Sequence, residues 1–313
     1  MRALHSIGTG REVMADISGT IDDVKDSAEA IGEKKDQAKE VAEDAASSQW
    51  VSWMTRFGYV IRGVLYMVVG FLSVQLALGL GGRTADKDTA ISAIARQPFG
   101  QALLVLVAVG LVGYSLWGFT RAILDPLGKG TSPGGIARRI GYVVSGLSYG
   151  ALLIPTIQHL AGAVRGESNG TKDVTAWLLA QPFGPWLVIM AGLIAIGGGM
   201  GQMYEAFKAG FKKDFKTREM TQDEMDWAVR AGRLGHAARG VVFGLTGFFL
   251  VQAGLHTNAN EAKDLDGVLA SILDQRYGPW LLGVVALGLI SFGIFSVLAA
   301  RWMQVTRAQA EQN

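Results

Sequence analysis

The sequence predicts an all-α membrane protein of six transmembrane helices, arranged as three parallel helical-hairpin repeats behind a polar, partly helical N-terminal tail. Three observations carry that prediction. Half of the 313 residues are hydrophobic. They gather into six runs, roughly 57–80, 101–123, 140–163, 185–204, 236–255 and 279–303, and about 20 apolar residues suffice for a helix to cross a bilayer. Polar loops separate the runs in regular alternation, a spacing that buried helices of a soluble core do not need. A pattern then recurs three times, over Arg56–Gln75, Arg139–Gln158 and Arg233–Gln252. Each copy opens with Arg, places Gly two and seven residues later, an aromatic residue ten later and Gln nineteen later.

Residues 1–49 form the tail, with six Lys or Arg against eleven Asp or Glu. Ile17, Ile21, Val24, Ala28, Ile31, Lys35, Ala38, Ala42 and Ala45 follow steps of four and three, a thin heptad seam. A solvated, partly helical cytoplasmic segment is expected there, with docking on a protein partner as the sharper alternative. No continuous apolar stretch of signal-peptide type is present, so insertion is expected to start at the first membrane helix.

The repeats divide the remainder into 50–128, 129–210 and 211–313, the last including the cytoplasmic loop before it. Trp50 and Trp53 suit the bilayer interface. In each pattern Arg and Gln stand nineteen residues apart, about 28 Å of helix, close to the hydrocarbon thickness. Gly63, Gly70, Gly146, Gly240, Gly247 and Gly254 fall at seven-residue steps from the opening Arg. Such residues share one helix face, and small side chains let helices in lipid approach closely. They are the candidate packing residues.

Each odd helix leads through a polar loop into a short half-apolar segment, read as an interfacial helix with Asp88, Asp173 or Asp266 at its N-cap. The connectors Gln97-Pro98-Phe99-Gly100, Gln181-Pro182-Phe183-Gly184 and Gln275-Arg276-Tyr277-Gly278 then turn the chain into the even helix. Gly197-Gly198-Gly199 suggests close packing or a break in the fourth run. The loop Glu205–Gly232 is expected to carry a surface helix near 221–231.

Lys and Arg concentrate in the loops after the second and fourth runs, which predicts a multi-pass protein with both termini cytoplasmic. Arg121 counts among those loop-side charges, at the end of the second run. The partners expected are the lipid bilayer, anionic lipid, and a cytoplasmic protein through 1–49 or 205–232; no nucleic-acid partner is indicated.

No cofactor or metal site and no catalytic group is expected. Cysteine is absent and the four His are scattered. Intramembrane carboxylates, which a proton relay would use, are nearly lacking; Glu205 at the end of the fourth run is the nearest. The candidate site residues are Arg62 and Arg239, each six residues inside its helix. At about 9 Å of depth either can snorkel to an anionic headgroup, or line a pathway near the pseudo-threefold axis. The first reading is favoured, and with it a membrane scaffold or accessory subunit; a small-solute or ion transporter is the alternative.

In its triplicated Arg-x-Gly-aromatic unit and Gln-Pro-Phe-Gly connector, the chain over about 50–305 resembles the bacterial membrane family called domain of unknown function 1206. Ser145 departs from Arg62 and Arg239, and Arg276 from the connector Pro. The resemblance implies a six-helix bacterial plasma-membrane protein with three two-helix repeats, and no activity.

Overall fold

The computed structural model describes residues 25, 27, 49–80, 87–123, 125, 132–162, 170–216 and 219–302. Two units divide the chain, Met1–Ser48 and Gln49–Asn313, and every residue of the expected N-terminal seam lies outside the described residues. The second unit is helical throughout its regular structure. The first hairpin contains α1 (Gln49–Ala77), α2 (Lys87–Ala95) and α3 (Gly100–Ile123). The second contains α4 (Pro133–Ala151), α5 (Leu153–Leu160), α6 (Gly170–Leu179) and α7 (Gly184–Lys208). The third contains α8 (Gln222–Leu255), α9 (Leu265–Leu273) and α10 (Gly278–Trp302). Six spans are long and apolar enough to cross a membrane: α1, α3, α4 with α5, α7, α8 and α10.

Local chemistry explains most boundaries. Ser132 caps α4, its Oγ accepting from Gly135 N at 3.2 Å, with Pro133 at the first helical position. The α4–α5 break falls at Leu152, because Pro155 has no N–H to offer the Ala151 carbonyl and its ring crowds that turn. In the connectors Phe99 and Phe183 take left-handed backbone, at φ 63° and 62°. The glycine that follows is obligatory: a Cβ on Gly100 would lie 2.1 Å from Ala95 O and one on Gly184 2.4 Å from Leu179 O, and in the third connector one on Gly278 would lie 1.7 Å from Leu273 O.

Two expectations are corrected. The surface helix foreseen near 221–231 is the first part of α8, which runs 34 residues without interruption. A capping box starts it, Thr221 Oγ1 accepting from Glu224 N and Glu224 Oε2 from Thr221 N. Gly232 and Gly235 do not break it, because they admit Phe211 and the Phe292 backbone. The N-cap of α9 is Asp264, accepting from Gly267 N at 2.9 Å, so Asp266 and likewise Asp173 sit in first turns, where they complement the helix dipole. Asp88 falls inside α2.

The odd membrane helices, the first of each hairpin (α1, α4 with α5, and α8), run from one end of the bundle, here the basic end, to the connector end, and the even membrane helices (α3, α7 and α10) return. Each odd helix packs on the even helix of the preceding repeat, cyclically: α4 on α3, α8 on α7, and α1 on α10. Small residues line these seams. A Cβ on Gly63 would meet Gly293 O at 2.7 Å, and one on Gly293 would meet Gly63 O at 2.7 Å. Gly70 faces Ala286 O, Gly240 and Gly247 face Gly199 O and Gly192 O, and Gly254 faces Pro185 O. Gly146 packs on Ser115, whose hydroxyl donates to Gly146 O at 2.8 Å. At such distances backbones gain dispersion and Cα–H···O contacts, the main attraction available between helices in lipid.

Within hairpins the symmetry fails once. Helices α1 and α3 pack together, as do α8 and α10, whereas among the described residues α4–α5 and α7 form no packed pair. Gly58 meets the Tyr114 backbone and Gly235 the Phe292 backbone, but nothing lies within 4 Å of a Cβ placed on the equivalent Gly141. Ile61 and Ala238 are each 7% exposed against Gly110 and Gly288, while their counterparts Val144 and Ile194 are 50% and 58% exposed. The main core contains no residue of α7. The second hairpin is open on its inner side. Its helices approach at the basic end, where Arg138 Nη2 lies 3.9 Å from Glu205 Oε1.

Candidate functional site

The odd helices present a second face besides the glycine seam. Three, six and ten residues after the opening Arg stand Tyr59, Arg62 and Tyr66 in α1, Tyr142, Ser145 and Tyr149 in α4, and His236, Arg239 and Phe243 in α8. Spacings of three and four keep each trio on one side of its helix. These faces meet in the half of the bundle nearer the basic end.

Arg62 stands at the centre. It is 8% exposed, so it does not take the outward route to headgroups expected from its depth. Nε and Nη2 donate to Ser296 Oγ at 3.2 and 3.0 Å, and Nη1 donates to the Tyr114 hydroxyl. Its guanidinium lies 4.5–4.9 Å from the ring centroids of Tyr59, Tyr114 and Phe292. Arg239, half-buried, lies over Phe292 at 4.3 Å and Phe243 at 5.0 Å; its Nε is buried without a hydrogen-bond partner. Ser145, at the third equivalent position, faces the Tyr114 hydroxyl.

A third cation joins them that the loop-charge reading missed. Arg121 is 8% exposed, donates from Nη1 to the Tyr59 hydroxyl at 3.3 Å, and lies 4.2 Å over the Tyr142 ring. Its Nε too has no partner. The signal available in the sequence was its spacing from Tyr114 and Trp117, seven and four residues back on the same helix face.

The residues that surround these guanidiniums are phenols, serines and apolar rings. No carboxylate lies within ion-pair distance of Arg62, Arg121 or Arg239 among the described residues. Cation–π contacts contribute about 0.5–2 kcal/mol each. Even so, a guanidinium carries more N–H donors than these partners accept. His236 pairs through Nδ1 with Gln202 Oε1 and leaves Nε2 buried without a partner. Nearby, Phe211, Phe292 and Phe295 pack about its ring, and Phe215 packs in turn on Phe211 and Phe295, closing the basic end.

The three-repeat register decides the family. A profile described as Domain of Unknown Function (DUF1206) matches residues 57–125, 140–209 and 234–303. The chain belongs to this DUF1206 family. An uncharacterised protein, YxxB of Bacillus subtilis (strain 168), is 32% identical over 259 residues, covering 82% of this chain and 93% of the relative. No solved structure matches.

In this DUF1206 chain two of the three opening arginines act as C-terminal caps. Arg139 donates to Ala122 O and Ile123 O at 2.6 and 2.9 Å, and Arg56 to Ala300 O at 3.0 Å. Each thus serves the even helix of the preceding repeat, meeting carbonyls that the helix end leaves open. Farther off, a crevice of about 550 Å³ between α1 and α2 is lined by Met67, Val68, Phe71, Leu72, Ala93 and Ile94. It is apolar, opens outward and does not reach the arginines.

Proposed function

We propose that this protein is an anion-holding bundle of the bacterial plasma membrane, non-catalytic, with both ends of the chain on the cytoplasmic side. The supporting observation is the group Arg62, Arg121 and Arg239, drawn into the bundle with hydroxyls and rings about it and no carboxylate in reach. A buried cation without a counter-charge is costly in lipid. A phosphate or carboxylate group placed among the three would accept the unused N–H donors and neutralise the site.

The accessory or scaffold class fits better than a channel. Tyr59, Leu65, Leu104, Leu111, Trp117, Leu282, Leu289 and Phe292 fill the space between the packed helices and are fully buried. The orientation rests on the Lys and Arg of the loops beside Arg121 and Lys208.

Two measurements on the purified full chain test this reading. Protein extracted in a neutral detergent is expected to retain a phosphorus-containing anion in stoichiometric amount, and reconstituted liposomes are expected to show no anion flux. Phosphorus-free, fully folded protein would overturn the anion-holding reading. Flux abolished by Arg62→Gln would replace the scaffold class with a transporter.

A further inference from the structure

We propose that the open second hairpin is the binding site of an anionic phospholipid, whose phosphate passes between α4 and α7 to reach Arg62 and Arg239. The inference rests on the anion-holding reading and adds the ligand and its route.

The opening has a sequence cause. Counted from the connector glycine, the fourteenth and seventeenth residues are Tyr114 and Trp117 in α3 and Phe292 and Phe295 in α10, but Gly198 and Gly201 in α7. The backbones at Tyr114 and Phe292 stand against Gly58 and Gly235, and their rings pack on Tyr59 and His236 of the facing helices, part of what closes their hairpins. In the second repeat the facing glycine, Gly141, is present and the ring is not. Among the described residues nothing lies within 4 Å of a Cβ on Gly141 or Gly201, and at Gly198 only Phe243 Cδ2 does, at 3.9 Å. Ser145 also stands where the other repeats have Arg62 and Arg239. One third of a pseudo-threefold site has therefore lost two rings and a guanidinium.

What borders the vacated sector identifies its occupant. On the α7 side a Cβ on Gly198 would lie 3.9 Å from the Phe243 ring, and Arg239 lies on that ring with its Nε unpartnered. On the α4 side Ser145 faces the Tyr114 hydroxyl that accepts from Arg62. Behind them Arg121, more than nine-tenths buried, keeps its own Nε unpartnered. The back of the gap is cationic and rich in donors. Its outer walls, Val144 and Ile194, are apolar and exposed at membrane depth. A headgroup phosphate carried on acyl chains matches both surfaces. A water-borne anion would match only the first, and would have to shed its hydration between apolar walls.

The test uses the full chain in neutral detergent, titrated with phosphatidylglycerol and followed by native mass spectrometry, with inorganic phosphate as the parallel arm. Gly198→Phe returns the missing ring to open space. Gly197→Phe, where a Cβ likewise meets nothing within 4 Å, is the control one position round the helix. The expected result is lipid affinity reduced by about tenfold or more in Gly198→Phe, unchanged in Gly197→Phe, with both melting as wild type. Gly198→Leu gives the same ordering should the phenyl variant fail to fold. Wild-type affinity in the Gly198 variants, with binding lost in Arg62→Gln/Arg239→Gln, would overturn the route and leave the arginine site standing. Wild-type affinity in the arginine variant as well would overturn both. Saturable inorganic phosphate binding with no phosphatidylglycerol bound would remove the lipid as ligand.

Discussion

Alanine at the second position after the opening Arg should change stability with opposite sign in different repeats. In Gly58→Ala the new Cβ falls 2.7 Å from Tyr114 N and 2.8 Å from its Cβ; in Gly235→Ala it falls 2.5 Å from Phe292 Cα. Backbone cannot rotate away, so α1 must move off α3, or α8 off α10, by several tenths of an ångström. Such overpacking costs about 1–3 kcal/mol, against about 0.5–1 kcal/mol regained because Ala suits a helix better than Gly. The net loss is about 0.5–2 kcal/mol for each. Gly141→Ala meets nothing within 4 Å and keeps only the gain, about 0.5–1 kcal/mol. Thermal unfolding in one detergent, followed by tryptophan fluorescence, orders the variants as Gly141→Ala, wild type, then the other two, spread by about 2–4 °C per kcal/mol. If Gly141→Ala lowers Tm as far as Gly235→Ala does, the second hairpin is closed and the reasoning fails.

Three other outcomes are expected. Gly247→Leu, whose Cβ alone would lie 2.5 Å from Gly192 O, should prevent assembly or cost about 3 kcal/mol or more, while Phe248→Leu on the exposed side of the same helix stays mild; equal melting temperatures would show that the seam is loose. Thr221→Ala removes the side-chain half of the capping box that starts α8 and keeps the backbone N–H that donates to Glu224; it should cost about 1 kcal/mol by the same assay, and no change would mean that the first turn is held without the Thr221 hydroxyl. Because the chain has no Cys, Asn260→Cys should react with an impermeant thiol reagent on intact cells and Ser132→Cys should not. Reaction of Ser132→Cys alone would reverse the orientation.

The architecture was legible because its causes repeat. Gly240, Gly247 and Gly254 recur every seven residues, so the seam of α8 could be drawn from spacing alone. The arginine cluster was only half legible. Arg62 was weighed by depth, which allows snorkelling, whereas direction decides: Tyr59 and Tyr66 stand three and four residues away on the same face and hold it inward. Arg121 reads as a loop charge until Tyr59 and Tyr142 are seen to cover it. Glycines near the start of α8 resemble loop residues, because neither Phe211 nor Phe292, which occupy the space they leave, is near in sequence. The open hairpin was written in the even helices, where Gly198 stands in register with Tyr114 and Phe292. It could not be read without knowing that Tyr114 and Phe292 lock onto Gly58 and Gly235 through their backbones and onto Tyr59 and His236 through their rings.

The demand of the buried arginines for an anion is tested most directly by Arg62→Met, melted beside the wild type with and without phosphatidylglycerol in neutral detergent. Met keeps apolar bulk at the site and removes a cation whose burial is unfavourable without a counter-charge. At lipid concentrations a hundredfold above Kd, binding adds about 2.7 kcal/mol to the wild type, read as a rise in Tm. The variant is expected to melt near the wild type without lipid and to gain much less with it. A wild-type Tm indifferent to the anionic lipid, or an equal gain in Arg62→Met, would contradict the account.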